Sequence, residues 1–189
     1  DDAGYKVCHT LCDASKMGVP QRRERVFFTA IRKDFYDLIP HRDDLFDSYP
    51  NIDLDFKEEG ICYGEFCDND GREIKGKMLD MWNLKKDGDT SMCDASEREY
   101  NRNAFFSQSY IYKDKVLPTL TGHEDSLIPF HKPRYTSKME VCLMSTFPCD
   151  YDFGNEKPHY VCGMSVPPVM MAQIANRVYE QWISKINEK

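Results

Sequence analysis

The stretch from Gly18 to Ile31, GVPQRRERVFFTAI, constrains the chain more than any other. A Gly-x-Pro turn runs into clustered arginines and then into a strongly β-prone apolar run. Val26, Phe27, Phe28, Thr29 and Ile31 are β-branched or aromatic, and a short unbroken run of this kind reads as a strand buried on both faces. Arg22, Arg23 and Arg25 stand at its entrance, where a turn can aim permanently charged forks at something outside the sheet. The plain alternative is a solvated basic loop tip before a core strand. Residues 4 to 12, GYKVCHTLC, read as a second strand with Gly4 as its breaker, joined to the first by residues 14 to 20. A two-stranded ribbon with two apolar faces is marginal alone in water, so something outside this chain is expected to cover it.

From Arg32 to about Val116 the texture changes to short apolar bursts broken by turn signals at Ile39-Pro40, Tyr49-Pro50, Asp70-Gly71 and Asp87-Gly88. This is the pattern of a small, loop-rich domain. ICYGEF is expected to pair with the segment after Asn69-Asp70-Gly71 as a hairpin. FFSQSYIY (Phe105 to Tyr112) reads as strand, and Trp82 and Phe105 as anchors of a small core. Beyond Thr136 the signals turn helical. Ser137-Lys138-Met139-Glu140 is a capping box, which gives Glu140 a structural role, and the short helix ends before Phe147-Pro148. The last helix is expected to start at Ser165, with Pro167 and Pro168 in its first turn. Met171, Ile174, Ala175, Val178, Trp182 and Ile186 form its apolar stripe.

The formal charge of −7 argues mildly against a nucleic-acid binder. Its distribution matters more: Asp34 to Glu99 holds nineteen acids and eight bases, whereas the remainder holds thirteen acids and seventeen bases. DNA phosphates would therefore meet local bases such as Arg22, Arg23, Lys75, Lys77, Arg102, Lys113 and Lys115. Eight cysteines are present without a Cys-x-x-Cys or paired histidine spacing, so reduced, mostly buried cytosolic thiols are expected and no metal site. No apolar run is long enough to span a membrane and no signal-like amino terminus is seen. Asp1 stands where a methionine would, which suggests a processed or excised piece.

GVPQRRERVFF resembles the eighth motif, Gln-x-Arg-x-Arg, of the DNA cytosine methyltransferases that modify carbon-5, with Gln21, Arg23 and Arg25 in its specified places. RYTSKMEVCLMSTFP, from Arg134 to Pro148, is similar to the family's ninth motif, and GMSVPP, from Gly163 to Pro168, to its tenth. PTLTGH, from Pro118 to His123, resembles the segment that closes the target recognition domain. The likeness covers nearly the whole chain but only the carboxy-terminal half of a complete enzyme.

That resemblance implies an α/β fold made of a partial methyltransferase (Rossmann-like) sheet edge, a small loop-rich mixed α+β target recognition domain and a C-terminal helix. Residues 1–32 would be edge strands of the catalytic domain, 33–133 the target recognition domain, and 134–189 the ninth and tenth motifs with the helix that returns to the catalytic domain. The implied reaction moves a methyl group from S-adenosylmethionine to cytosine carbon-5 in duplex DNA, as in restriction-modification. A cysteine adds to the extruded base to make that carbon nucleophilic. The family places that cysteine and most of the cofactor site ahead of the point where this chain begins, so the chain should be inactive without its amino-terminal half or a separate subunit. Pro148-Cys149 is a decoy, since its flanks do not resemble the nucleophile loop.

By the same resemblance Arg25 is the catalytic candidate, lining the cytosine pocket near the ring carbonyl. Gln21 and Arg23 would hold the loop and a DNA phosphate, and Thr119 and Thr121 would meet the DNA backbone. Met164 and Ser165 would close over the amino acid end of S-adenosylmethionine at a helix amino terminus. Asn69, Arg72, Asn101, Arg102, Asn103 and Gln108 could read bases by type alone. A non-catalytic DNA-binding recognition module is the alternative function. Either would work in the cytoplasm of a prokaryotic or phage-like source.

Overall fold

The computed structural model describes residues 3–40, 52–68 and 70–187. The turn signal at Tyr49-Pro50 and the candidate Asn69 lie outside them. β1 (Tyr5–Asp13) and β2 (Glu24–Arg32) form an antiparallel ribbon whose register runs from Tyr5 opposite Arg32 to Asp13 opposite Glu24. The turn between them is built locally. The Asp13 carboxylate accepts the Ser15 amide at 3.0 Å and starts a 3-10 turn over Ala14–Lys16. Gly18 then takes φ 74°, and a β-carbon there would sit 2.8 Å from a Glu58 carboxylate oxygen.

Because side chains alternate across a strand, the ribbon has two faces. Cys8, Cys12, Phe27 and Ile31 face the chain's own core, joined by Ile52, Leu54, Phe56, Met170, Ile174 and Trp182. Val7, Leu11, Val26 and Phe28 occupy the other face and remain 51%, 61%, 51% and 73% exposed. Within this chain the run Val26–Ile31 is therefore buried on one face only. Ile52, Leu54 and Phe56, read from sequence with the small domain, pack on the ribbon.

The C-terminal helix covers the inner face. α6 spans Pro168–Val178 with Pro168 in its first turn, where the missing amide proton costs nothing. Ser165 does not start it; it closes the helix before. Met170, Ile174, Val178, Trp182 and Ile186 make the inward stripe, while Met171 and Ala175 face outward. The stripe recurs every fourth residue rather than at the alternating three and four of an α-helix. A π-helical stretch at Tyr179–Ile183, followed by α7 (Ser184–Asn187), supplies the slower winding that keeps Val178, Trp182 and Ile186 on one side.

The middle of the chain carries α1 (Lys33–Tyr36), a 3-10 turn at Tyr63–Glu65, α2 (Lys77–Asn83), α3 (Met92–Tyr100), β3 (Ser109–Ile111) and β4 (Leu127–Pro129). β3 and β4 pair in parallel. The hairpin expected for ICYGEF does not form, because Glu65 caps the Cys62 amide at 2.7 Å and bends the segment into the 3-10 turn. The residues after Gly71 pair instead with the Arg134 segment: Ile74 donates to Pro133 and Tyr135 to Arg72. The FFSQSYIY strand shrinks to Ser109–Ile111, since Phe105 takes φ 61° in a turn. Trp82 and Phe105 do border the small core of Ile74, Met81, Met92, Ala95, Tyr110, Ile128 and Tyr135. A further core joins Tyr63, Ile111, Leu117, Leu120 and Leu127 to Val141 and Met144 of α4 (Lys138–Met144) and to Cys162 of α5 (Pro158–Met164). All eight cysteines are unpaired; three are buried, four half-buried and Cys149 exposed, so burial is less general than expected. Among the described residues no helix is long and apolar enough to cross a membrane.

The two ribbon faces should respond differently to substitution. Ile174→Ala should cost about 2–5 kcal/mol by opening the core, whereas Phe28→Ser should change stability by no more than about 0.5 kcal/mol. Urea unfolding of both variants measures the contrast, and equal losses would mean that Phe28 is covered in solution.

Candidate nucleic-acid interface

Four separated segments meet around Gln21 and Arg23, each 1% exposed. The Gln21 amide nitrogen donates to the Met144 carbonyl at 2.7 Å, and its oxygen accepts the Leu120 amide at 3.1 Å. The Arg23 guanidinium donates to the carbonyls of Leu120 at 3.0 Å, Gly163 at 2.8 Å and Ser165 at 2.7 Å. Burial, and after it the neighbouring Arg25, lowers the Arg23 pKa. These two side chains, expected to hold the loop and a DNA phosphate, point into the protein. They bind main-chain carbonyls and amides at Leu120, Met144, Gly163 and Ser165, and the Arg23 Nε, which has no partner among the described residues, is buried, so neither side chain is turned to an outside ligand. No local sequence signal gave this away: Gln21 and Arg23 alternate in the folded chain with the exposed Arg22 and Glu24, but all four residues are polar.

Arg25 stays half-exposed at the end of β2 and donates to its neighbour Glu24's carbonyl at 2.7 Å. Thr119 and Thr121 are exposed on the adjoining segment. The Thr119 hydroxyl donates to the Arg22 carbonyl at 2.6 Å, and the Thr121 hydroxyl accepts the His123 amide at 3.4 Å. Met164 is 67% exposed at the end of α5. Ser165 is half-buried and donates its hydroxyl to the Cys162 carbonyl at 3.1 Å. The structure thus brings the PTLT, GMS and arginine segments together.

The expected anion-binding helix start at Ser165 is absent. Pro167 and Pro168 carry no amide proton, and the Val169 amide already donates to the Thr146 hydroxyl at 3.1 Å. Met164 and Ser165 therefore do not fit the carboxylate of S-adenosylmethionine by themselves.

A second polar assembly lies behind the first. Arg134, 1% exposed, forks onto Glu140, 0% exposed, with both contacts at 2.7 Å. Arg134 also donates to the Asp68 carbonyl at 2.6 Å, and the Tyr63 hydroxyl donates to Glu140 at 2.5 Å. The capping box forms as expected: Glu140's amide donates to the Ser137 hydroxyl at 3.0 Å and the Ser137 amide to Glu140's carboxylate at 2.9 Å. Burial draws the Arg134 pKa down, yet hydrogen bonds and charge from Glu140 hold it above its ordinary value. The sequence pointed to the cap and missed the ion pair, because Arg134 lies outside the capping pattern. Burial, then Cys142, pushes the Cys162 thiol up to about 11, which makes it a poor nucleophile. Cys149 sits exposed past the end of α4.

The sequence model of the C-5 cytosine-specific DNA methylases matches residues 1–180. The chain belongs to that family. It is 28% identical over 179 residues to the type II methyltransferase M.BbvI of Brevibacillus brevis, covering 87% of this chain and 46% of that protein. It spans about half the length of the curated relatives it matches. A prophage-encoded E. coli protein described as a DNA modification methyltransferase superposes with a TM-score of 0.59 at 16% identity, over 95% of this chain and 62% of that one. A mutant of Spodoptera frugiperda DNMT2 does so with a TM-score of 0.58 at 15% identity, over 94% and 59%. These likenesses establish a mixed α/β methyltransferase-type fold.

Glu140→Ala should cost about 3–5 kcal/mol, because Arg134 is left charged and buried with only the Asp68 carboxylate, 3.8 Å away, as its counter-charge among the described residues. Replacing both partners by apolar residues should recover most of that loss. Denaturant unfolding of the single and double variants tests it, and a double variant no more stable than the single one would count against the ion pair as the cause.

Proposed function

We propose that this chain forms the target-binding side of a carbon-5 cytosine DNA methyltransferase that uses S-adenosylmethionine, working with an amino-terminal catalytic half of the same enzyme or a separate subunit. The observation that carries this reading is the bare apolar face of the ribbon, with Val7, Leu11, Val26 and Phe28 all more than half exposed beside the arginine-bearing turn. Burial stabilises by roughly 25 cal/mol per Å² of apolar surface, so a continuous face of this kind favours a packed neighbour. A neighbour on that face would adjoin the ribbon's end, where Arg25 stands opposite Cys12 on the inner face.

In this reading Arg25 is the chain's catalytic residue. Among the described residues its guanidinium hydrogen-bonds its neighbour's carbonyl alone, which leaves donors for the carbonyl oxygen of an extruded cytosine. Thr119 and Thr121 face the DNA backbone beside that base. Gln21 and Arg23 act by fixing the segment that carries Thr119 and Thr121 against the turn at Gly163–Ser165. Residues 33–133 hold the target recognition domain, apart from Ile52, Leu54 and Phe56, which pack on the ribbon, and residues 1–32 and 134–189 frame the catalytic side. Chemistry that requires the methyl donor belongs to residues outside this chain, so no bond-making step is assigned to it.

Reconstitution tests the reading. Labelled methyl incorporation into DNA should require both this chain and the amino-terminal half. DNA binding by this chain, with no methylation in the mixture, would favour a non-catalytic recognition module instead. Arg25→Ala in the active mixture should lower the rate by at least about tenfold, equivalent to roughly 1.4 kcal/mol of transition-state stabilisation, while DNA binding changes little. An unchanged rate would remove Arg25 from the pocket.

A further inference from the structure

Exposure alternates residue by residue from Gln21 to Glu24, as in an extended chain, so consecutive arginines leave on opposite sides. Arg23 enters the interior. Arg22 leaves toward a cleft of about 250 Å³ lined by Arg22, Thr90, Ser91, Ser109, Lys115 and Pro118. The cleft lies where the arginine turn meets β3 and the start of α3, on the same stretch as Thr119.

Three features make it more than two surface cations. The Arg22 main chain is fixed on both sides, its amide donating to the Leu117 carbonyl at 2.8 Å and its carbonyl accepting the Thr119 hydroxyl at 2.6 Å. The Lys115 ammonium rests 4.5 Å from the centre of the Tyr112 ring, which also lines the cleft and holds the cation there. Two acids that act on the cleft's tyrosines are already engaged: Asp94 by the Thr90 and Ser91 amides at 2.5 and 3.0 Å and by their hydroxyls at 3.1 and 3.3 Å, and Asp89 by the Arg98 guanidinium at 2.8 and 3.0 Å. Asp94 thereby caps the start of α3, and Arg22 and Lys115 are the cations that line the cleft.

We infer that this cleft seats a phosphodiester of the DNA backbone, with Arg22 and Lys115 as its cations and the Ser109 hydroxyl as a neutral donor. The phosphate contact of the arginine motif then falls to Arg22 and not to Arg23. This rests on the DNA-binding reading above. A site so built fixes where the duplex lies relative to Thr119 and Thr121 without reading sequence.

The test is binding of a fluorescently labelled duplex of mixed sequence across a series of sodium chloride concentrations. Each lost phosphate contact flattens the slope of log affinity against log salt by about 0.9. Arg22→Gln and Lys115→Gln should each flatten it by that amount, and Lys57→Gln, at an exposed lysine paired with Asp55, should leave it unchanged. An Arg22→Gln slope equal to wild type overturns the inference, and so does equal flattening by Lys57→Gln. Absence of salt-dependent binding by the wild-type chain would bring down the DNA-binding reading itself, and this site with it.

Discussion

The architecture depends on a polar junction that hydrophobic packing alone would not create. Gln21 and Arg23 reach from one turn into the interior and bind the main chains of three other segments at Leu120, Met144 and Gly163–Ser165. Each of those groups would otherwise be a buried donor or acceptor without water, at a cost of about 1–3 kcal/mol apiece. The junction therefore selects one arrangement of the four segments, because any shift leaves several of these groups unpaired together. Close approach adds to the selection. A β-carbon on Gly163 would stand 2.4 Å from the Thr121 main chain, so only glycine lets α5 lie against the PTLT segment.

Arg134 and Glu140 do similar work for the small domain. Their fork ties the start of α4 to Tyr63 and to the Asp68 carbonyl, which belong to stretches more than sixty residues earlier. Two buried charges are expensive to desolvate, and the compensation here comes from a bidentate pair with further bonds to Tyr63, Ser137 and the main chain. Tyr63 in turn anchors the core that holds Leu117 and Leu120, so the two polar assemblies are linked through one apolar cluster. What they hold rigid is the exposed strip of Arg22, Thr119 and Thr121, on which the proposed DNA contacts lie.

Membership of the C-5 cytosine methylase family and the bare ribbon face bear on one another. The chain spans about half the length of its curated relatives, which carry further residues beyond the matched part. The exposed Leu11 and Phe28 show where a neighbour would gain most by packing.

The sequence by itself determined the features written in local pattern. These are the ribbon, from its β-branched and aromatic runs; the helix start at Ser137, from a capping box; and the place of Pro168 in the first turn of α6. The order of its motifs also pointed to the family. It did not determine features that depend on distant partners. The inward turn of Gln21 and Arg23 requires carbonyls some hundred residues away. The hairpin expected after Asp70-Gly71 lost to pairing with the Arg134 segment, because the buried ion pair draws that segment in. The choice of Met170 over Met171 as a core residue was settled by the ribbon's inner face and the π-helical turn together. Local propensity fixes the ribbon and the capped helices; the tertiary structure decides which weaker strands pair and which polar groups face the interior, because an unpaired buried charge or amide costs more than any local preference supplies.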